Sequence, residues 1–252
     1  MGGLKIERVA HDAEGYPVPL VMVDCAIFAL KEQALHLLLP VRRKNLEIGK
    51  RALVGGRLHL DVDHAPEDGA RRVAREKLGI DVRYLEQLHS FGGPNRDEGW
   101  TVTIAYIAIV QLDQIPAGLQ TDLFPVDQIP QLAFDHNEIA AMAVARMRNK
   151  SAYSSLPAFL LPPEFTIDDL RHVYQQVTGA ALVKTTFRDQ VLRQGFVERT
   201  GNMSAGRTYR PAELWRLTDQ TVANFNRVVS RTQRQAESEQ SAGKSHRRDH
   251  ST

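Results

Sequence analysis

The pattern of apolar residues changes once along this chain, near residues 135 to 151, and that change limits the fold more than any other feature. Before it, VMVDCAIFAL, ALHLLLPV and TVTIAYIAIV are short runs of strand length with one helical stretch among them. After it, apolar residues recur at helical spacing. Two such patterns need two cores, and 252 residues at about 150 per domain point the same way. The charge divides at nearly the same place. Residues 1 to 144 hold 15 Lys/Arg and 20 Asp/Glu, and residues 145 to 252 hold 17 and 10. The net charge of +2 therefore conceals an acidic first half and a basic second half suited to a polyanionic partner.

With 42% hydrophobic and 25% charged residues, the composition is that of a water-soluble globular chain, and no apolar run reaches the ~18 residues that would span a bilayer. The opening MGGLKIERVAHDAEG carries acidic residues and no apolar segment of a signal peptide, so the expected location is the cytoplasm. The lone Cys25 rules out an intrachain disulfide, and its place within VMVDCAIFAL reads as a buried, inert thiol.

In the first half, Lys31 to Gln33 break two strand-like runs and predict a hairpin. Pro66, Glu67 and Asp68 open a helix that ARRVAREKL continues and Gly79 ends. FGGPNRDEGW reads as a polar loop before the last strand. Asp135 or Asn137 is expected to cap NEIAAMAVARMRNK, with Ile139, Met142, Ala143 and Met147 on its apolar face, and this helix links the domains. Thr166 and Asp169 predict a capping box for a helix closed by Gly179, and a third helix, LVKTTFRDQVLRQG, stops at Gly195. Strands FVERT and TYRPAELWRL around the loop GNMSAGR complete a helix-turn-helix with a wing. The expected organisation is an N-terminal arm (1–19), an α/β domain (20–134), a linker helix (135–150), a winged helix (151–230) and a disordered polar tail (231–252).

Gly55-Gly56 after a strand, then a loop and a helix closing with Arg72, Val73, Glu76, Lys77, Gly79 and Ile80, resembles the Nudix box, G-x5-E-x7-R-E-U-x-E-E-x-G-U with U aliphatic. Leu38-Leu39 followed by Arg42 is similar to the basic strand end of these domains, and Phe91-Gly92 with Arg96-Asp97 is similar to the nucleotide-facing loop of their ADP-ribose branch. The resemblance implies an α/β/α sandwich with a mixed sheet over most of residues 20 to 130. It also implies that Arg42, Gly55, Gly56, Phe91, Arg96 and Asp97 face an ADP-ribose-like ligand. Arginines suit phosphate through paired hydrogen bonds, and the alternative for Arg96-Asp97 is an ion pair that shapes the loop.

The departures from the pattern bear on chemistry. Nudix hydrolases hold Mg²⁺ on glutamates of the box helix, and those positions are Val73, Glu76 and Lys77 here, with the upstream glutamate falling near His64. One carboxylate of the three helix positions remains, so the expectation is a binder with no catalytic residues and no Mg²⁺ cofactor. Arg72 and Glu76, four apart, can also form a surface ion pair. His59, Asp61, Asp63 and His64 crowd one loop with metal-ligating side chains, but no second cluster completes a geometry, and the expectation is no metal.

From Phe134 to Leu217, the segments FTIDDL, FRDQVL and YRPAELWRL resemble the C-terminal domain of the Nudix-related transcriptional regulators of NAD metabolism, the NrtR family. The fold class implied is α+β, a Nudix-like domain followed by a winged helix-turn-helix. On the recognition helix, Lys184, Thr185, Thr186, Arg188 and Asp189 would face the major groove while Phe187 and Val191 bury. Arg207 and Arg210 on the wing suit phosphate or the minor groove, and His172 reads as surface or packing. The function implied is a homodimeric repressor of NAD biosynthesis or salvage genes, bound to a double-stranded operator with an inverted repeat and relieved by ADP-ribose or a related metabolite. The alternatives are an active ADP-ribose pyrophosphatase that also binds DNA, and a pentose-responsive regulator of the same build.

Overall fold

The computed structural model describes residues 10–44, 46–97, 99–204 and 211–225. It divides into two compact units, Met1–Met147 and Arg148–Thr252, with the division falling inside a helix.

In the first unit a two-stranded ribbon, β1 (Ala10–His11) and β2 (Pro17–Val18), precedes a six-stranded sheet. Its strands are β3 (Leu20–Lys31), β4 (Ala34–Leu38), β5 (Val54–Arg57), β6 (Tyr84–Asp97), β7 (Gly99–Ile109) and β8 (Leu123–Pro125). The order is β6-β7-β3-β4-β8, and the twelve-residue β3 pairs with β5 along its first half and β4 along its second. β3 and β7 run parallel and the other pairs antiparallel, so the sheet is mixed as expected. The hairpin predicted at Lys31 to Gln33 is present, and Glu32 and Gln33 both take positive φ, the turn whose twist suits two paired strands.

Helix α1 (Pro66–Leu78) ends at Gly79, whose φ of 69° is the left-handed cap that glycine takes without strain. Its Ala70, Val73, Ala74 and Leu78 pack on Val23, Cys25, Ile27 and Ala29 of β3, which alternate onto that face. Cys25 is buried there, and burial pushes its thiol far up, away from reactivity. Helix α2 (His136–Ser151) buries Ile139, Ala140, Ala143, Val144 and Met147.

The second unit holds α3 (Ile167–Thr178), α4 (Lys184–Gln194) and the antiparallel pair β9 (Val197–Met203) and β10 (Glu213–Leu217). Phe165 exchanges backbone hydrogen bonds with Trp215, adding a third strand segment to that pair. The capping box forms: Thr166 Oγ1 accepts from the Asp169 N–H at 3.0 Å and Asp169 Oδ2 from the Thr166 N–H at 3.1 Å. The buried Tyr174 meets Phe187 edge-on at 5.3 Å and donates its hydroxyl to the Ser154 carbonyl at 2.7 Å.

Four local expectations are corrected. FGGPNRD is strand, the end of β6, and Gly99 and Trp100 open β7; Gly92 and Gly93 pair with Val102 and Thr101, and Pro94, with no N–H to donate, falls in the register shift between Gly93 and Asp97. Met142 is 36% exposed, because the buried stripe of α2 follows Ile139, Ala140, Ala143, Val144 and Met147 and leaves it on the flank. Asp135 turns its carboxylate to Arg96, and Asn137 bonds the Leu132 N–H and Pro130 carbonyl, tying the incoming loop. β9 continues through Gly201 to Met203, into the stretch expected as loop. The tail from 231 lies outside the described residues.

Candidate functional site

Within the first unit, side chains far apart in sequence converge where β3 and β5 pair. Asp24 sits opposite Gly55, and a Cβ on Gly55 would lie 1.8 Å from Asp24 Oδ1, so the glycine is what lets the carboxylate lie over β5. Arg96 reaches both Asp24 and Asp135: Nη2 donates to Asp24 Oδ2 at 3.1 Å and to Asp135 Oδ1 at 2.9 Å, and Nε donates to Asp135 Oδ2. The Arg96 and Asp24 side chains are only 9% and 7% exposed. Burial alone would lower the Arg96 pKa, but the hydrogen bonds and charges of Asp135 and Asp24 outweigh it and raise the pKa. The first α2 residue, His136, completes the group. Its Nδ1 accepts from the Leu53 N–H at 3.0 Å, which places the proton on Nε2, 3.6 Å from Asp24 Oδ1. Burial lowers the His136 pKa against the pull of both aspartates, so the ring is neutral at pH 7.

Arg42 lies beside this group. Its Nε donates to the Leu46 carbonyl at 2.9 Å, and its guanidinium stacks 4.6 Å from the Phe134 ring centroid. Phe134 has φ of 54°, a left-handed conformation that is strained for a bulky residue and that aims its ring between Arg42 and His136. Phe91, by contrast, is buried on β6 with its ring edge-on to His89. Asp97 ends β6 opposite Gly99, and its side chain lies outside the described residues.

The box helix presents a different chemistry. Val73 is buried, and its Cγ2 fills the space a Cβ on Gly56 would need, 2.9 Å away. Lys77 lies on an exposed helix position but turns its ammonium inward to donate to the Gly55 carbonyl. Arg72 grips Asp63 through both oxygens at 2.9 and 2.7 Å, the Arg57 carbonyl at 2.9 Å and Glu76 at 3.3 Å, so it fastens the helix to the loop before it. That grip, with the His59 N–H, pulls the Asp63 pKa down to about 2. Of the crowded loop, Asp63 is thus engaged by Arg72, and among the described residues no group of three or more His, Cys, Asp or Glu is arranged to hold a metal ion.

Sequence reasoning singled out Arg42, Gly55, Gly56, Lys77 and Arg96, which the fold brings together. It missed Asp24, Phe134 and His136 and read Asp135 as a cap. Nothing local marks these four; only the pairing of β3 with β5 and the return of the chain at α2 brings them to one place.

On α4 of the second unit, Phe187 and Val191 are buried and Lys184, Thr185, Thr186, Arg188 and Asp189 are all exposed. Lys184 lies 3.3 Å from Asp168, and Arg188 lies 4.0 Å from Glu213 and 5.7 Å from the Trp215 ring, which Arg199 also overlies. These are loose surface contacts that a stronger anion can replace. His172 is exposed beside Arg171. Arg207 and Arg210 lie outside the described residues. Among the described residues no helix is long and apolar enough to cross a membrane.

Residues 157–217 match the family model of the NrtR DNA-binding winged helix domain. The chain is 37% identical over 228 residues to the ADPR responsive transcriptional repressor NtrR of Acinetobacter baylyi, covering 87% of this chain and 90% of that protein. An ADP-ribose pyrophosphatase of Methanocaldococcus jannaschii is 30% identical over 128 residues, 49% of this chain and 72% of the enzyme. The crystal structure of Shewanella oneidensis NrtR complexed with a 27mer DNA superimposes with a TM-score of 0.77 at 30% identity, covering 83% of this chain and 99% of that one. With a mixed-sheet domain built around a Nudix-like helix, a winged helix after it, and a repressor matched along nearly its whole length, the chain belongs to the NrtR family of Nudix-related transcriptional regulators.

Proposed function

We propose that this protein is a cytoplasmic, homodimeric repressor that binds an inverted-repeat operator beside genes of NAD synthesis or salvage and leaves it when ADP-ribose, or a close NAD metabolite, enters the first unit. The observation that carries this reading is the match, through both units in order, to a repressor described as ADPR responsive. The exposed polar face of α4 supports major-groove contact through Lys184, Thr185, Thr186, Arg188 and Asp189. Arg42 and the glycine pair are the proposed ligand contacts, while Phe91 and Arg96, already packed inside, hold their shape. Two-fold operators follow from two-fold dimers, and a coupling of about 1 to 3 kcal/mol between the ligand and DNA sites gives a 5- to 150-fold change in affinity. Calorimetric titration with ADP-ribose against arabinose tests the effector: saturable binding of ADP-ribose alone supports the reading, and binding of arabinose alone replaces it with a pentose regulator.

The residues of the box helix do not fit a catalytic Mg²⁺ ion, which needs oxygen ligands. Val73 offers none, the Gly55 carbonyl already accepts from the Lys77 ammonium, and Glu76 is drawn to Arg72. The ligand is accordingly held without being consumed. The likeness of about half of the chain to an ADP-ribose pyrophosphatase favours one rival, an enzyme that also binds DNA. Incubation with ADP-ribose and Mg²⁺ separates the two: intact ligand is the expected result, and steady release of AMP overturns the sensor reading.

A further inference from the structure

We propose that the Lys77 ammonium is a built-in counter-cation for the diphosphate of the effector, standing where the box helix would otherwise hold a divalent metal, so that the effector binds without metal. The inference rests on the proposed reading that the effector carries a diphosphate.

Three observations carry it. Lys77 Nζ is fixed by the Gly55 carbonyl above the glycine pair, 3.7 Å from where a Cβ on Gly56 would project, so the cation lies directly against that pair. An ammonium has three donors; one goes to this carbonyl and the others remain for phosphate oxygens. Second, the charges acting on Lys77 are mixed, with Arg42 and Arg72 repelling it and Asp24 and Glu76 attracting it. The carboxylates nearby are already engaged: Asp24 by Arg96, Asp63 and Glu76 by Arg72. Lys77 and Arg42 thus form a cationic pair short of negative charge, and a diphosphate supplies it. Burial of the ammonium and the neighbouring Arg42 lower the Lys77 pKa, a strain that a bound anion relieves. Third, at the box positions themselves Val73 and Lys77 offer a divalent ion no oxygen, and Glu76 pairs with Arg72.

The test is calorimetric titration of the full chain with ADP-ribose in EDTA and again in MgCl2, for the native protein and for Lys77→Gln and Lys77→Glu. The native affinity is expected to be the same in both buffers, while Lys77→Gln weakens binding about 10- to 100-fold in EDTA, the loss of a charge-assisted contact. Lys77→Glu is expected to weaken it further and to recover in part with Mg²⁺. Native binding that requires Mg²⁺, or a folded Lys77→Gln that binds as tightly as native, overturns the proposal. If ADP-ribose binds the native chain in neither buffer, the effector reading fails instead, and inorganic pyrophosphate becomes the probe. Pyrophosphate binding in EDTA that disappears in Lys77→Gln then supports the role of Lys77, and its absence from the native chain or persistence in the variant overturns it.

Discussion

Arg96 and Arg188 hold comparable places in the two units, each a cation among the residues expected to meet an anion, yet their surroundings differ sharply. Arg96 lies between two carboxylates with its side chain 9% exposed; Arg188 is 44% exposed, and its nearest carboxylate is 4.0 Å away. A buried charge cannot lose its partner without leaving the other uncompensated, whereas an exposed one exchanges a weak neighbour for water at little cost. In the first unit, Arg96 is therefore tied to stability, holding the shape of the proposed site between Asp24 and Asp135. In the second, stability and the proposed DNA contact are separable, with Phe187 and Val191 holding the helix and the face beside them exposed.

The largest effect should come from the buried side of this contrast. Arg96→Ala is expected to destabilise the first unit by about 3 to 5 kcal/mol, because Asp24 and Asp135 lose their shared partner. Urea unfolding measures it, and a loss under ~1 kcal/mol would break the distinction. Arg188→Ala should leave the unfolding midpoint nearly unchanged while lowering operator affinity by about 1 to 3 kcal/mol, the worth of one good base contact. Gel shifts that do not respond would remove Arg188 from the recognition surface.

A smaller effect is expected from pH. The His136 pKa is lowered in the fold by burial, so below its ordinary value of 6.5 the unfolded chain takes up the proton more readily than the folded one. Its contribution is complete above pH 6.5 and is lost as pH falls below that value. Melting curves of native protein and His136→Gln at pH 7.5 and 5.5 check this, with the native protein expected to lose more stability on acidification; equal losses would place the titrating group elsewhere. Smallest is Lys184→Ala. Its contact with Asp168 is exposed, so stability should not change, while the salt dependence of DNA binding flattens by about 0.9 log units if the lysine meets a phosphate. An unaltered slope assigns Lys184 to the helix surface alone.

The same contrast explains what could be read from the sequence. Local chemistry was legible where it acts locally: Pro66 and Gly79 bound α1, Thr166 and Asp169 cap α3, and the four-residue spacing of Phe187 and Val191 orients α4. The helix boundaries and the exposed face of α4 followed from such signals, while the fold class was implied by the family resemblance. The cluster around Asp24 was not legible, because residues 24, 55, 96 and 136 meet only through strand pairing across the sheet and the return of the chain at α2. Residues 91 to 97 misled for a related reason. Glycine, proline and asparagine are loop residues by propensity, and a register shift in β6 lets them remain in a ladder. Phe134 carried no signal, since a left-handed aromatic is set by its surroundings and not by its neighbours in sequence.

In the proposed function, one chain senses a nucleotide in its first unit and releases DNA from its second. Fluorescence anisotropy of the protein on a duplex selected for tight binding, titrated with ADP-ribose, tests it most directly. Anisotropy should fall to that of free DNA at saturating ligand. A complex that stays intact while ADP-ribose is bound would contradict the account.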